Sequence, residues 1–365
     1  MGIGEYLDGM SAATKPIAKD YSQMDAALAY LAGYGPDLSN GFTNHAPMVT
    51  EALSAMGRAD AVMPWLQKNW PLRNLLMTRE PPREAISAHD WKDALGNDKP
   101  MAWAAFFETE LEGARWQDVV ARWAARLAPG IESGAAHGVI RLGHAVRGLA
   151  EHENPARLHE LAGALGYWAS CYETLPAADY SGAPLPAREA ISLVPFSTGN
   201  ARATRGGFTD GLRSLHKFSG FAPVIGMLDV SGDPARTLVQ LTETFARVYL
   251  VNAHDSYTAV AFIHGVTACA ALRSLAPYLD PEVTRTALRY AWQTGAALYS
   301  VYGTAKPDWS AASLPKEPPE ELIALAVKTG DDHAIKFTEA CLREYALNPN
   351  AVYLSAARHA ISMLG

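Results

Sequence analysis

Apolar residues recur at steps of three and four along almost the whole chain, a periodicity that suits packed helices and little else. In segment 101–113, Trp103, Phe106, Phe107 and Leu111 fall on one helical face. Segment 116–127 repeats the pattern and stops at Pro129-Gly130. Segments 157–172, 233–251, 257–275 and 284–302 read the same way. Strand signals are sparse, and a run such as Ile191-Ser-Leu-Val-Pro195 suits a loop, because proline cannot donate to a β-ladder. Glycine and proline punctuation at 33–41, 80–83, 96–100, 175–186 and 305–319 marks connections, none of them long or polar enough to be an interdomain linker. No repeat of fixed period is present. The expectation is an all-α fold, a single large multi-helix domain over residues 1–365, with a pseudo-two-lobed arrangement as the alternative.

A chain of 365 residues, 49% of them apolar, can bury a large core without disulfide staples. Its three cysteines, Cys171, Cys269 and Cys341, are odd in number, far apart and in no C-x-x-C pattern, so a reducing cytoplasm is the expected compartment. The net charge of −7 is spread along the chain, and without a basic run no nucleic-acid partner is expected. The opening Met1-Gly-Ile-Gly-Glu5 lacks the basic segment and apolar run of a secretory signal. The most apolar stretch, 248–272, is broken by Asn252, His254, Asp255 and His264, so no membrane span is expected. A homo-oligomer is as compatible with these features as a monomer.

The eleven histidines carry the chemical information. Four short segments place a histidine in or beside an apolar helical pattern with small neighbours: Asn44-His45-Ala46, His137-Gly-Val-Ile-Arg-Leu-Gly-His144, His264-Gly-Val-Thr267 and Asp331-Asp-His333-Ala-Ile-Lys336. Small neighbours let helices approach closely, so these imidazoles should face other helices. A buried imidazole costs free energy unless its nitrogens find partners, and several meeting at one point satisfy each other through a metal ion. His137 and His144, seven apart, share a helical face, and His333 and Lys336 form an i,i+3 pair. His254 and His264, ten apart, face roughly 80° away from each other on a helix of ~3.6 residues per turn. The competing reading of each is a hydrogen-bonded core histidine. His89, His152, His159 and His359 sit among polar residues and read as surface side chains.

At these same segments the chain resembles the questin oxidase-like family, which includes fungal enzymes that oxidise and open anthraquinone-type polyketides. The stretches that carry the resemblance are Ser39-Asn-Gly-Phe-Thr-Asn-His45 with Glu51-Ala-Leu, Gly134-Ala-Ala-His137-Gly-Val-Ile-Arg-Leu-Gly-His144-Ala, His264-Gly-Val-Thr267 and Asp331-Asp-His333-Ala-Ile-Lys336, in the family's order. The resemblance implies a mononuclear non-haem Fe(II) oxygenase, a dioxygenase or a Baeyer–Villiger-type monooxygenase. Its metal would be held by His45, His137, His264 and His333, with Lys336 as a carboxylated fifth ligand. Such a carbamate would supply the anionic donor that four neutral imidazoles lack. The competing reading of Lys336 is an exposed cation paired with Asp332 or Glu339.

Dioxygen and a small aromatic or polyketide-like molecule are the implied partners. The chain departs from the fungal members in being shorter and in carrying Leu215-His-Lys-Phe-Ser-Gly-Phe-Ala-Pro223, which looks typical of bacterial relatives, so anthraquinone itself is not implied. Arg141 and His216 are the candidate catalytic residues. Arg141 would neutralise an anionic intermediate and His216 would serve as an acid, a base or an extra ligand, with a carboxylate pair and a helix-cap role as the respective alternatives. Phe42, Trp103, Phe107, Phe218, Phe221 and Tyr257 are candidate pocket walls. NADPH and flavin find no support, because Gly2-Ile-Gly4, Gly199 and Gly206-Gly207 lack the G-x-G-x-x-G pattern between strand and helix. A zinc hydrolase using the same histidines and a non-catalytic helical binding protein are the rival readings.

Overall fold

The computed structural model describes residues 17–68, 74–82, 84–197, 207–310 and 312–365. Its helices are α1 (Met24–Leu31), α2 (Ala46–Ala55), α3 (Ala59–Lys68), α4 (Pro100–Gly113), α5 (Trp116–Leu127), α6 (His137–Glu151), α7 (Pro155–Ser170), α8 (Phe208–Arg213), α9 (Pro234–Asn252), α10 (Ser256–Leu275), α11 (Pro281–Tyr302), α12 (Pro319–Thr329), α13 (Asp332–Leu347) and α14 (Ala351–Leu364), with shorter turns between them. The fold is all-α, as the periodicity predicts. Local chemistry sets the ends. Asn154, Asp233, Asp331 and Asn350 accept a backbone N–H as N-caps of α7, α9, α13 and α14, and Asp255 and Thr258 form a capping box on α10. Gly330, left-handed at φ 72°, closes α12 directly before the α13 cap.

One element departs from the sequence reading. Residues 34–38, read as loop punctuation, form strand β1 (Tyr34–Leu38), antiparallel to β2 (Leu76–Thr78), with Tyr34 opposite Thr78 and Leu38 opposite Leu76. Gly35 and Pro36 hid it, and a two-stranded ribbon tolerates both because every strand in it is an edge. Its use is local. Asn44 donates through its backbone N–H to Pro36 O (2.7 Å) and through its side-chain amide to Gly35 O (3.0 Å), tying the entry of α2 to the ribbon. The candidate loop at 191–195 begins as a 3-10 turn, Ile191–Leu193. Gly2, Gly4, Arg83, Gly199 and Gly206 lie outside the described residues.

Two apolar cores fill the molecule. The larger takes Val139, Ile140 and Leu142 of α6, Ile263 and Val266 of α10, Phe337 and Cys341 of α13, and residues of α4, α5, α7, α9 and α11. The smaller takes Ala46, Val49 and Leu53 of α2, Ile335 and Leu342 of α13, and residues of α1, α3 and α12. Helices α2, α6, α10 and α13 pack each on the next and close a ring across the boundary between the cores. Helix α10 and its extension, Ser256–Tyr278, is long and apolar enough to cross a membrane by length and composition, contrary to the expectation above, but here it is a core helix buried by its neighbours. Asn252 ends α9, and His254, in the break before α10, is exposed.

Candidate metal centre

Each helix of that ring contributes one imidazole to its centre. His45 precedes α2 as its N-cap residue, His137 is the first residue of α6, His264 lies in mid-α10, and His333 sits in the first turn of α13. Nε2 of His137 is 2.7 Å from Nε2 of His45 and 3.1 Å from Nε2 of His264. The His333 ring stands edge-on to His45, centroids 4.7 Å apart, and 5.6 Å from His264. His45, His137 and His333 each offer a nitrogen within 4.8 Å of the others.

The other nitrogen of every ring is spoken for. Nδ1 of His45 donates to Asp332 Oδ2 (2.7 Å), and Nδ1 of His333 lies 2.7 Å from Asp332 Oδ1. Nδ1 of His137 donates to the Gly134 carbonyl (2.5 Å), and Nδ1 of His264 to the Val260 carbonyl (2.6 Å). Carboxylates and carbonyls only accept, so each Nδ1 carries a proton, and in a neutral ring this leaves Nε2 a bare lone pair pointing away from that acceptor. Three such lone pairs meet at 2.7 and 3.1 Å with no proton between them, and Nε2 of His333 is buried with no hydrogen-bond partner. Protonation does not relieve this. Burial, and then the charge of Lys336, push His45 down to about 3. Burial and the neighbouring imidazoles hold His137 and His264 well below the usual range. Nitrogens of His45, His137 and His333 lie within 4.8 Å of one another and fit a divalent cation, Nε2 of His264 stands at the edge of that group, 3.1 Å from Nε2 of His137, and the carboxylate and carbonyls orient the rings from behind.

Lys336, one turn beyond His333, is also buried, 4% exposed, which excludes the exposed-cation reading. Its charge is among the causes depressing His45, His137 and His264, so the amine acts electrostatically on the imidazoles. Burial lowers its pKa to about 8 against the opposing pull of Asp332 and Asp331. It also lines a cavity of about 10 Å³ with His144, Arg147, Thr267 and Glu339. Beyond that cavity, Glu51 of α2 accepts from His144 Nδ1 (2.6 Å) and Tyr21 (2.5 Å), and Arg147 bridges Glu51 to Glu339. His144, though on the same helix face as His137, belongs to this ion network and not to the four-imidazole group.

The other sequence candidates lie elsewhere. Arg141 is buried and gives Nε and Nη2 to Glu160 (2.7 and 2.8 Å), the carboxylate pairing that sequence left as its alternative. His216 is exposed on a 3-10 turn, its Nε2 3.0 Å from the Thr174 carbonyl. Trp103 and Phe107 are core residues locked against Trp123, Phe221 is core, and Phe42 is 63% exposed. Of the proposed walls, Tyr257 leads to the site. It packs on Phe208 (4.7 Å), which in turn lies 5.9 Å from the His264 ring and 5.9 Å from Tyr302. His159 and His359 are half-buried rather than surface residues, on Glu108 and Tyr249 respectively.

The sequence pattern singles out the four imidazoles but not the orienting role of Asp332, although that residue stands inside one of the four histidine segments. Phe208 and Tyr302 escape it as well, since their relation to His264 exists only in the packing. No family model matches the chain, and no curated protein matches it.

Proposed function

We propose that the chain is a metal-dependent oxygenase in which His45, His137, His264 and His333, with Lys336 beside them, hold Fe(II), and that it oxidises a small aromatic molecule with dioxygen, as its resemblance to the questin oxidase-like family implies. The observation that carries the metal reading is the convergence of Nε2 lone pairs whose rings are fixed by acceptors at Nδ1. Bound there, Fe(II) would supply the one-electron chemistry through which dioxygen reacts with closed-shell organic molecules.

The chain's own residues have separable tasks. Asp332 fixes two rings from different helices. Lys336, with its depressed pKa, is poised to lose its proton near a cation and so to act as a donor, carboxylated or not. Phe208, Tyr257 and Tyr302 form an aromatic column from the surface at Tyr257, 38% exposed, to the His264 ring, and a flat substrate would lie along it.

A zinc hydrolase on the same residues is the second reading. Neutral imidazoles suit zinc as well as iron, so the identity of the bound metal separates the two readings. Metal analysis after anaerobic purification tests the proposal. Iron with oxygen-dependent turnover is the expected result; zinc with oxygen-independent hydrolysis supports the rival, and no bound metal rejects both. His137→Ala and His264→Ala should strip the metal and leave helicity largely intact.

A further inference from the structure

The chain enters α6 through three successive residues in the left-handed region, Gly134 (φ 57°), Ala135 (φ 56°) and Ala136 (φ 68°). Among the described residues only Asp98 is another non-glycine there. Glycine adopts this conformation freely, but an alanine Cβ crowds the following carbonyl, and two adjacent alanines persist only where their surroundings over-determine them.

The surroundings do so. Ala136 N donates to Glu132 O (3.0 Å), Ser133 Oγ both donates to Glu173 O (3.1 Å) and accepts from Glu173 N (2.9 Å), and the Trp168 indole donates to Gly130 O (2.8 Å). A Cβ on Gly134 would stand 2.9 Å from Tyr167 Oη. That hydroxyl is itself 2.7 Å from Thr43 Oγ1, two residues before His45, so Tyr167 lies against the segments that deliver His45 and His137. What the turn achieves is specific: it brings the Gly134 carbonyl onto His137 Nδ1 and leaves Nε2 facing His45 and His264.

We propose that Ala135 and Ala136 are positioning residues for His137, and that their strained turn fixes this ligand before any ion arrives. The inference rests on the imidazoles being a metal site. Glycine at both positions would reach the same φ with less strain, but it would also open many other conformations, so the turn would no longer dictate where His137 points.

The test is the pair Ala135→Gly and Ala136→Gly, singly and together, in the full chain, with Co(II) as probe. We expect a metal-free Tm equal to the parent's or higher by about 1–2 °C, a Co(II) affinity about tenfold weaker, and a broadened Co(II) absorption band. A merely structural turn would show the reverse: affinity and band unchanged, or affinity falling together with Tm, and either result overturns the inference alone. A parent chain that takes up no Co(II) overturns the metal reading beneath it.

Discussion

Asp332 shows how one side chain can organise a site without reaching its centre. Its two oxygens hold Nδ1 of His45 and His333, so two rings from different helices share one orienting group. In Asp332→Asn one oxygen becomes an amide donor, and one ring loses its acceptor. Metal affinity should fall by about 10–100-fold with unchanged far-UV circular dichroism, measured by competition with a chromophoric chelator. Glu132, ahead of the strained turn, gives a separate test. Burial, reinforced by Glu173, raises its pKa from 4.5 to about 7. Between those values the folded chain binds a proton that the unfolded chain has lost, so this group makes stability fall as pH rises from 4.5 towards 7. Glu132→Gln should flatten that region of the pH–stability curve and leave the variant more stable at pH 8 by roughly 3 kcal/mol, as denaturant melts across the range would show. At this scale the sequence was informative where residue type alone restricts the chemistry, as for the histidines. It was silent where the role depends on what lies across a gap, as for Asp332 and the exposed His216, and for Arg141 it offered a carboxylate pairing without naming Glu160.

Helices were the most legible elements, because a 3.6-residue period survives in any packing. Segment 116–127 coincides with α5, and 284–302 falls short of α11 only at its proline-capped start. The β-ribbon was not legible, since Gly35 and Pro36 carry turn signals and its pairing partner lies some forty residues away. How closely two helices approach is likewise invisible to periodicity. A Cβ on Gly143 would meet the Cβ and Cα of Ala271 at 2.7 and 2.8 Å, so α6 and α10 touch backbone to backbone there. These two helices carry His137 and His264. Gly143→Val should therefore cost about 1–3 kcal/mol or more through overpacking and also weaken ion binding, read out by thermal melts and Co(II) stoichiometry. A variant that loses stability yet binds the ion normally would show that the site tolerates a wider gap between these helices.

Across the whole molecule, the imidazoles and the Glu51–Arg147–Glu339 network lie along the boundary between the two apolar cores. Composition and periodicity account for both cores, but nothing in a linear pattern says that their polar boundary falls at His45, His137, His264 and His333. An ion binding there joins segments that are far apart in the chain, and only in the folded state. At a hundredfold excess over Kd it should stabilise the chain by about 2.7 kcal/mol. A Tm that rises with added metal and falls back with a chelator checks this.

His137 and His264 lie on helices of the larger core, whereas the helices of His45 and His333 reach into both, through Met48, Phe337 and Cys341 on one side and Val49, Ile335 and Leu342 on the other, so the full set of nitrogens exists only once the two cores have closed on each other. Capture during refolding would thus time the docking of the cores. With Co(II) in the refolding buffer, colour should appear in the slowest phase, well after the ellipticity burst that reports helix formation.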